Sequence, residues 1–241
     1  PAAMDERGKV IVVMPAYNAE RTLKKTYDEI PKECVDEVIL VDDASQDNTI
    51  EAAKQLGIEV IVHEKNKGYG GNQKTCYKNA LEKGAAVVVM VHPDYQYDPS
   101  SIPQMIKPIL EKEADIMFGS RMIYKRDALK GGMPLYKFVS NIFLTTLENI
   151  VFKRSLSEYH TGLRAYSRKF LESVDFCALS DGFVFDTEII AEATKLKFKI
   201  GEVPIKTRYL DDSSSISFRA SVKYGLKTLK VLYDYMIKAK R

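Results

Sequence analysis

The chain has 241 residues, of which 45% are hydrophobic and 29% charged, a composition typical of a globular protein that buries its core without disulfides or a structural metal. The net charge of +3 is too small to require a nucleic-acid partner. Three widely spaced cysteines, Cys34, Cys76 and Cys177, predict neither a disulfide framework nor a zinc site and favour a reducing, cytoplasmic compartment.

Apolar runs alternate with helical segments through the first half, which predicts an α/β fold with a mostly parallel, Rossmann-like sheet flanked by helices. The predicted strands are Val10–Met14, Val38–Val41, Glu59–Val62, Val87–Val91 and Asp115–Phe118. The predicted helices are Glu20–Ile30, Asn48–Leu56, Gly71–Glu82 and one that Pro99 or Pro103 opens.

The second half has a less regular pattern. Pro134–Phe152 and Gly182–Lys195 are predicted to be helices, while Lys199–Val203 and Lys206–Tyr209 have the pattern of strands. Residues 218–241 combine helical spacing with many lysines, which predicts a basic C-terminal helix. No repeat, low-complexity tract or linker divides the chain, so we expect a single domain over residues 1–241.

Neither a signal peptide nor a membrane-spanning helix is expected. The apolar run Val10–Met14 is short and Pro15 follows it at once, and no window reaches the roughly 20 apolar residues that a spanning helix needs. Residues 1–3 precede Met4, and we expect them to be a remnant of cloning.

Polar clusters follow four of the predicted strands. They are Pro15–Asn18, Asp42–Asp47, His92–Gln96 and Gly119–Arg121. Open α/β sheets bind ligands beyond the carboxyl ends of their strands, and a parallel sheet places all four clusters along one edge. The adjacent carboxylates of Asp42 and Asp43 repel each other unless something compensates them. The sequence therefore predicts the binding site at this edge.

These residues resemble family 2 glycosyltransferases of the GT-A fold, in the branch of dolichol-phosphate mannosyltransferases and polyprenyl-phosphate glycosyltransferases. The resemblance covers about Lys9 to Ser217. The matching segments are VVMPAYNAE near residue 12, VILVDDASQDNT near 38, NKGYGGNQ near 66, VMVHPDYQYDP near 89, ADIMFGSRM near 114 and TGLRAYSRK near 161.

The resemblance implies where a nucleotide-sugar donor would bind. Residues of the first two strand ends would hold the base and ribose, a glycine-rich loop would shape the site, and the second acid of the family's DxD motif would lie beside the diphosphate. The positions that match these roles are Pro15, Ala16, Tyr17, Asn18, Asp42, Asp43, Lys67, Gly68 and Asp94.

The resemblance also implies a divalent metal, Mg²⁺ or Mn²⁺, held by Asp94 and Gln96. The sequence departs from the family at His92, which stands where the first acid of the DxD motif is expected. Histidine suits Mn²⁺ or Zn²⁺, whereas carboxylate and phosphate oxygens suit Mg²⁺ better. His92 is therefore expected to be either a ligand or a neutral hydrogen-bond partner.

Acceptor chemistry divides the remaining candidates. A hydroxyl acceptor needs a general base, whereas a lipid phosphate is already anionic and needs cations to position it. Asp186 and Glu188 are the candidate bases, and they would act beside Asp94 and Arg121 in the catalytic set. The candidates for binding an acceptor phosphate are Arg121, Lys137, Ser140, Arg164 and Arg208. His63 and His160 are expected to be structural or surface residues.

The leading functional prediction is an inverting enzyme that moves a hexose from a UDP- or GDP-sugar to a polyprenyl phosphate. Leu135–Phe152 and the basic C-terminal helix could touch a membrane peripherally, at its cytoplasmic face. Three alternatives stay open: a saccharide or other hydroxyl acceptor, a non-catalytic module suggested by His92, and a nucleotidyltransferase. The nucleotidyltransferase signature Gly-x-Gly-x-x-[Ser/Thr]-Arg is absent after the first strand, where Pro15–Asn18 stand.

Overall fold

Seven strands form one sheet in the computed structural model, which describes residues 7–208 and 218–238. The strands are β1 (Val10–Ala16), β2 (Glu37–Asp42), β3 (Glu59–Val62), β4 (Val87–Met90), β5 (Ile116–Ser120), β6 (Arg164–Ser167) and β7 (Ile200–Pro204). The helices are α1 (Glu20–Asp28), α2 (Thr49–Gln55), α3 (Gly68–Glu82), α4 (Ile102–Leu110), α5 (Lys125–Lys130), α6 (Leu135–Phe152), α7 (Arg168–Ser173), α8 (Phe185–Lys195) and α9 (Phe218–Lys238).

The strand order is β3-β2-β1-β4-β6-β5-β7, and β6 runs antiparallel to both of its neighbours. The other six strands share one direction. The carboxyl ends of β1, β2, β4 and β5 therefore lie along one edge of the sheet. The predicted mostly parallel sheet is confirmed, and all four polar clusters lie at that edge.

The core lies on both faces of the sheet. Side chains alternate between the faces of a strand, so Ile11 and Val13 of β1 pack in one apolar cluster and Val10 and Val12 in the other. Because both faces are covered, β1 is buried along its whole length and its sequence is a continuous apolar run. This explains why continuous apolar runs in the sequence located the central strands correctly.

Several helix boundaries differ from the prediction. Pro99 opens a short 3₁₀ turn whose first N–H groups are capped by Asp98, and α4 follows with Pro103 in its first turn. Helix α3 begins at Gly68 rather than Gly71, and α8 begins at Phe185 rather than Gly182. The start of α3 is glycine-rich, and glycine favours loops on intrinsic propensity alone.

The sequence did not predict β6, α5 or α7, which are short. The strand predicted at Lys206–Tyr209 is wrong over its described part, where Thr207 makes an isolated bridge to Tyr97. Tyr209, residues 1–3 and the last three residues of the predicted C-terminal helix lie outside the described residues. Within the described chain, no helix is long and apolar enough to cross a membrane. The single-domain assignment stays a prediction.

Candidate active site

A cavity of about 940 Å³ opens where β1, β2, β4 and β5 end. One end is polar, and we call it the polar end; it is lined by Asn18, Asp43, His92, Asp94 and Gln96. The other end lies between α6 and α9, and we call it the apolar end; it is lined by Met133, Phe143, Leu144, Leu226 and Leu229. The two ends form one continuous space, so a bound molecule can contact both.

Asp43 holds the loop that leads into α3. Its Oδ1 accepts hydrogen bonds from His63 Nδ1 and from the backbone N–H of Lys67, both at 2.8 Å, and its Oδ2 accepts from the N–H of Gly68 at 3.0 Å. The carboxylate is 3% exposed, although it still lines the cavity. These bonds satisfy N–H groups at the start of α3, which explains why the helix begins at Gly68.

Two predicted donor ligands lie away from the cavity. Asp42 is fully buried behind the strand end, where its Oδ1 accepts from the N–H of Ser45 at 3.0 Å. Asp42 Oδ2 has no hydrogen-bond partner among the described residues. Lys67 takes part through its backbone N–H, and its exposed side chain does not line the cavity. The positions of these two side chains therefore do not support direct contact with a donor. The residues that do line the cavity are Pro15, Ala16, Tyr17, Asn18 and Gly68.

The α3 loop lies against the segment that precedes α8. The N–H groups of Gly70 and Gly71 both donate to the carbonyl of Asp181. A Cβ on Gly70 would lie 2.4 Å from the carbonyl oxygen of Ser180 and 2.8 Å from Cβ of Phe185, so only glycine fits. The glycines of this motif therefore allow backbone to meet backbone beside the cavity.

His92 and Asp94 follow β4 and line the polar end. Asp94 is buried, and its Oδ1 accepts from the N–H of Gln96 at 3.0 Å, which fixes the turn. The His92 ring stacks on Tyr69 with 5.3 Å between centroids. Burial lowers the pKa of His92 despite the nearby carboxylates of Asp94 and Asp186, so its imidazole is neutral at pH 7.

Asp186 at the start of α8 reaches the same space. Its Oδ2 accepts from the Tyr69 hydroxyl at 2.8 Å, and Oδ1 accepts from Gln73 Nε2 at 3.3 Å. Arg164 Nη2 lies 3.3 Å from Oδ2. Glu188 points elsewhere: it accepts from the N–H and the hydroxyl of Ser180, both at 2.7 Å, and does not line the cavity. The position of Glu188 does not support a role as base, because both of its oxygens are bound to the loop before α8.

Arg121 follows β5 and lines the middle of the cavity. Its Nε donates to Oε1 of the fully buried Glu158 at 2.9 Å, and its Nη2 donates to the carbonyl of His160 at 2.7 Å. Burial favours the neutral acid, yet the charge and hydrogen bonds of Arg121 keep the pKa of Glu158 below its usual value. Glu158 therefore stays ionised and fixes the guanidinium at the cavity wall.

Lys137 and Ser140 line the cavity from α6, as predicted. Lys137 makes no ion pair with any described residue. Burial and the charge of Arg121 lower the pKa of Lys137. Together, Arg121 and Lys137 give the middle of the cavity a positive field that suits an anion.

Two arginines predicted to bind an acceptor phosphate lie elsewhere. Arg164 is fully buried and donates to the carbonyls of Thr161 and Tyr159, both at 2.8 Å. Arg208 donates to Glu29 Oε2 at 2.9 Å and lies over the ring of Tyr95. Neither lines the cavity. Their positions do not support contact with an acceptor, because their guanidinium groups are occupied by these partners.

Residues 11–175, which are more than half of the chain, match the family model described as Glycosyl transferase family 2. The chain belongs to glycosyl transferase family 2. It is a glycosyltransferase, as the motifs predict, and the inactive-module and nucleotidyltransferase alternatives lose their support.

Named relatives agree with this membership. The glycosyltransferase is 31% identical over 243 residues to the UDP-N-acetylglucosamine–dolichyl-phosphate N-acetylglucosaminyltransferase of Methanococcus voltae, covering 92% of this chain and 96% of that one. It is 34% identical over 209 residues to an uncharacterized protein of Methanocaldococcus jannaschii, covering 87% of this chain and 85% of the relative.

Among solved structures, it is similar to glucosyl-3-phosphoglycerate synthase from Mycobacterium tuberculosis in complex with Mn²⁺, uridine-diphosphate and phosphoglyceric acid. The TM-score is 0.74 at 18% identity, covering 95% of this chain and 78% of the other. At this identity the likeness concerns the fold. It confirms the predicted α/β architecture of the GT-A type.

Several residues that shape the site of this glycosyltransferase were not predicted. Glu158 fixes Arg121, Tyr69 joins His92 to Asp186, and His160 lines the cavity although a structural role was expected for it. His63 is structural, as expected. The signal for His160 and Glu158 was the match at TGLRAYSRK, which directly follows them in the chain.

Proposed function

We propose that this glycosyltransferase moves a hexose from a UDP- or GDP-sugar to a polyprenyl phosphate, with inversion at the anomeric carbon. The observation that carries the proposal is the continuity of the cavity from its polar end to its apolar end. A saccharide acceptor has no use for an apolar groove, whereas the first isoprene units of a lipid acceptor do. The name of the Methanococcus voltae relative, which includes dolichyl phosphate as acceptor, supports the same choice.

The donor would occupy the polar end. Tyr17 is 54% exposed at the rim, beside Pro15, Ala16 and Asn18, where its ring can cover the base. Asp43 would act by holding the Gly68 loop against the donor, since its carboxylate is already bonded to that loop. This arrangement leaves the choice between uracil and guanine to be measured.

Asp94, His92 and Gln96 at the polar end would hold a divalent metal, Mg²⁺ or Mn²⁺, beside the donor. The described residues contain no group of three or more His, Cys, Asp or Glu side chains able to hold a metal. Asp94 offers a carboxylate and neutral His92 can offer a ring nitrogen, with Gln96 beside them at the cavity wall. When bound, the metal would neutralise charge that develops on the leaving diphosphate.

The acceptor phosphate would lie in the middle of the cavity. Its oxygen attacks the anomeric carbon while the bond from that carbon to the diphosphate breaks, so one displacement inverts the configuration. Arg121 and Lys137 would orient the phosphate, with Ser140 as a further hydrogen-bond donor. Asp186 is poorly placed to be a base because its two oxygens already accept hydrogen bonds from Tyr69 and Gln73, and Arg164 Nη2 lies 3.3 Å from Oδ2. An anionic phosphate avoids the need for one.

Peripheral membrane contact is part of the proposal. Helices α6 and α9 expose apolar side chains around the apolar end, and α9 carries Lys223, Lys227 and Lys230 on its exposed surface. The exposed apolar side chains are Leu135, Val139, Phe143, Val222, Leu226, Leu229, Tyr233, Met236 and Ile237. Such a surface suits the interface of an anionic bilayer, where the lipid acceptor resides. A location at the cytoplasmic face stays a prediction.

The test is transfer of labelled sugar from UDP- and GDP-sugars, with polyprenyl phosphate in detergent and with Mg²⁺ or Mn²⁺. We expect a lipid-linked product, and we expect Lys137→Ala to raise the acceptor KM. Lys78→Ala on the exposed surface of α3 is the matched control. Product from saccharide acceptors alone would show that the lipid assignment is wrong. Full turnover after removal of divalent metals would show that the metal assignment is wrong.

A further inference from the structure

Glu148 on α6 is a fully buried carboxylate without a conventional partner. Neither of its oxygens makes a hydrogen bond to any described residue. Its nearest cationic candidate is His160, whose Nε2 lies 3.0 Å from Oε2 but outside the alignment of a hydrogen bond. Buried carboxylates without compensation are costly, so the position calls for an explanation.

His160 connects this carboxylate to the cavity. Its Nδ1 lies 2.7 Å from the hydroxyl of Tyr224 on α9, and the two rings meet edge to face at 5.5 Å. The Tyr224 hydroxyl is also 3.4 Å from Oγ1 of Thr187. Both His160 and Tyr224 line the cavity, close to Arg121, which donates to the His160 carbonyl. The chain of groups Glu148–His160–Tyr224 thus runs from α6 to the cavity wall.

The protonation of His160 decides which way the Tyr224 hydroxyl points. A neutral imidazole that carries its proton on Nε2, toward Glu148, leaves Nδ1 as an acceptor, and Tyr224 must then donate to it. A protonated imidazole donates from both nitrogens, so the Tyr224 oxygen becomes an acceptor. Its own proton can then turn toward the cavity.

We propose that Tyr224 binds the acceptor phosphate through its hydroxyl and that Glu148 and His160 are positioning residues that turn this hydroxyl toward the cavity. The inference rests on the proposed function and deepens its acceptor site. Glu148 Oε2 lies 3.0 Å from His160 Nε2, where it can hold the imidazole in the orientation that faces Tyr224. Burial raises the pKa of Tyr224, so its hydroxyl keeps its proton across the neutral range.

The surrounding charges set the direction of the pH dependence. Glu148 and a bound anionic phosphate favour protonated His160, whereas Arg121 and Lys137 oppose it. Asp186 and Arg164 lie behind Tyr224 and partly cancel, since they pair with each other. Acceptor binding therefore takes up a proton at His160. The gain in affinity is present at low pH and is lost as pH rises through the His160 transition.

The first test measures the acceptor KM for a water-soluble short-chain prenyl phosphate between about pH 6 and pH 8, the range in which histidine titrates. Tyr224→Phe should raise the acceptor KM about tenfold at the lower pH, the usual effect of losing a hydrogen bond to a charged group. Glu148→Gln and His160→Asn should do the same. Ionisation of the prenyl phosphate affects the wild type and the variants alike. The ratio of variant to wild-type acceptor KM therefore isolates the loss of the Tyr224 contact, and this ratio should fall toward one as pH rises.

Matched measurements separate this role from a structural one. Tyr235→Phe removes another hydroxyl from α9, outside the cavity, and should leave the acceptor KM unchanged. The donor KM and the melting temperature should stay near wild type in Tyr224→Phe. A pH-independent ratio, an unchanged acceptor KM in Tyr224→Phe, or an equal rise in the donor KM would overturn the inference.

A second test does not depend on turnover. The chain contains three histidines, so their NMR resonances can be assigned by single substitutions. Inorganic phosphate or the prenyl phosphate should shift the His160 titration to higher pH, and Glu148→Gln should shift it to lower pH. A His160 titration unaffected by either anion overturns the inference, even if the wild type transfers sugar. Absence of transfer to any prenyl phosphate would instead count against the proposed function, and the titration with inorganic phosphate would still decide this inference.

Discussion

Asp43→Asn separates two roles for the carboxylate at the end of β2. The resemblance implies contact with the base or ribose, whereas the structure commits Asp43 to the loop at residues 67 and 68. An asparagine has one acceptor oxygen, so its amide NH₂ must face the N–H of either Lys67 or Gly68. His63 can change tautomer to adapt, but the backbone N–H groups cannot.

The magnitude follows from these bonds. A hydrogen bond to a charged group contributes about 1.5–3 kcal/mol, and at least one is replaced by a contact between two donors. We expect Asp43→Asn to lower the free energy of unfolding by about 2–4 kcal/mol. For a chain of this length, that loss lowers Tm by about 4–16 °C.

The assay combines thermal unfolding with calorimetric binding of UDP and GDP. Asp181→Asn is the matched control, because Asp181 is 68% exposed in its pair with Lys74 and such surface pairs contribute about 0–1 kcal/mol. We expect Asp43→Asn to lose stability and nucleotide affinity together. Loss of affinity with Tm within about 1 °C of wild type would refute the loop-holding role and favour direct contact with the donor.

Three further predictions concern other parts of the site. Glu158→Gln should lower the free energy of unfolding by about 3 kcal/mol, because it breaks a buried ion pair. Since the folded-state pKa of Glu158 is lowered, this contribution is present at neutral pH and is lost on acidification. The unfolding free energies of wild type and variant should therefore converge as pH falls. Gly70→Ala should destabilise the protein by about 1–3 kcal/mol through overpacking, as measured by urea unfolding, whereas Gly225→Ala, whose nearest neighbour would be 3.9 Å away, should not. Leu226→Glu should lower the affinity for anionic vesicles, measured by co-sedimentation, about tenfold. Leu196 is exposed at the far end of α8, so Leu196→Glu should leave this affinity unchanged.

The sheet and its functional edge could be predicted because they depend on local patterns. A strand covered on both faces needs a continuous apolar run, and β1 and β4 have one. Parallel strands bring their carboxyl ends to one edge, so polar residues after β1, β2, β4 and β5 had to meet there. Asp94 and Arg121 lie in family motifs that follow β4 and β5, and both line the cavity at this edge.

Some positions could not be predicted because they depend on polar partners that lie far apart in the chain. Arg164 was predicted to bind an acceptor phosphate. Its burial is possible because the carboxylate of Asp186, 22 residues later, and three backbone carbonyls receive its charge. The start of α3 was placed three residues late for the same reason, since its capping acid, Asp43, precedes Gly68 by 25 residues.

The acceptor end extends this reasoning to residues that no local pattern marks. Glu148 occupies one position of an apolar-rich helix, and His160 directly precedes the motif that begins at Thr161. Neither residue suggests a site alone, and Tyr224 lies on a helix that was predicted from the helical spacing of its apolar residues. Folding brings the three together where α6 meets α9, at the boundary between the cationic middle of the cavity and its apolar end. An anionic head group attached to an apolar chain would have to cross this boundary, so the residues that distinguish a lipid phosphate from a free sugar are expected here.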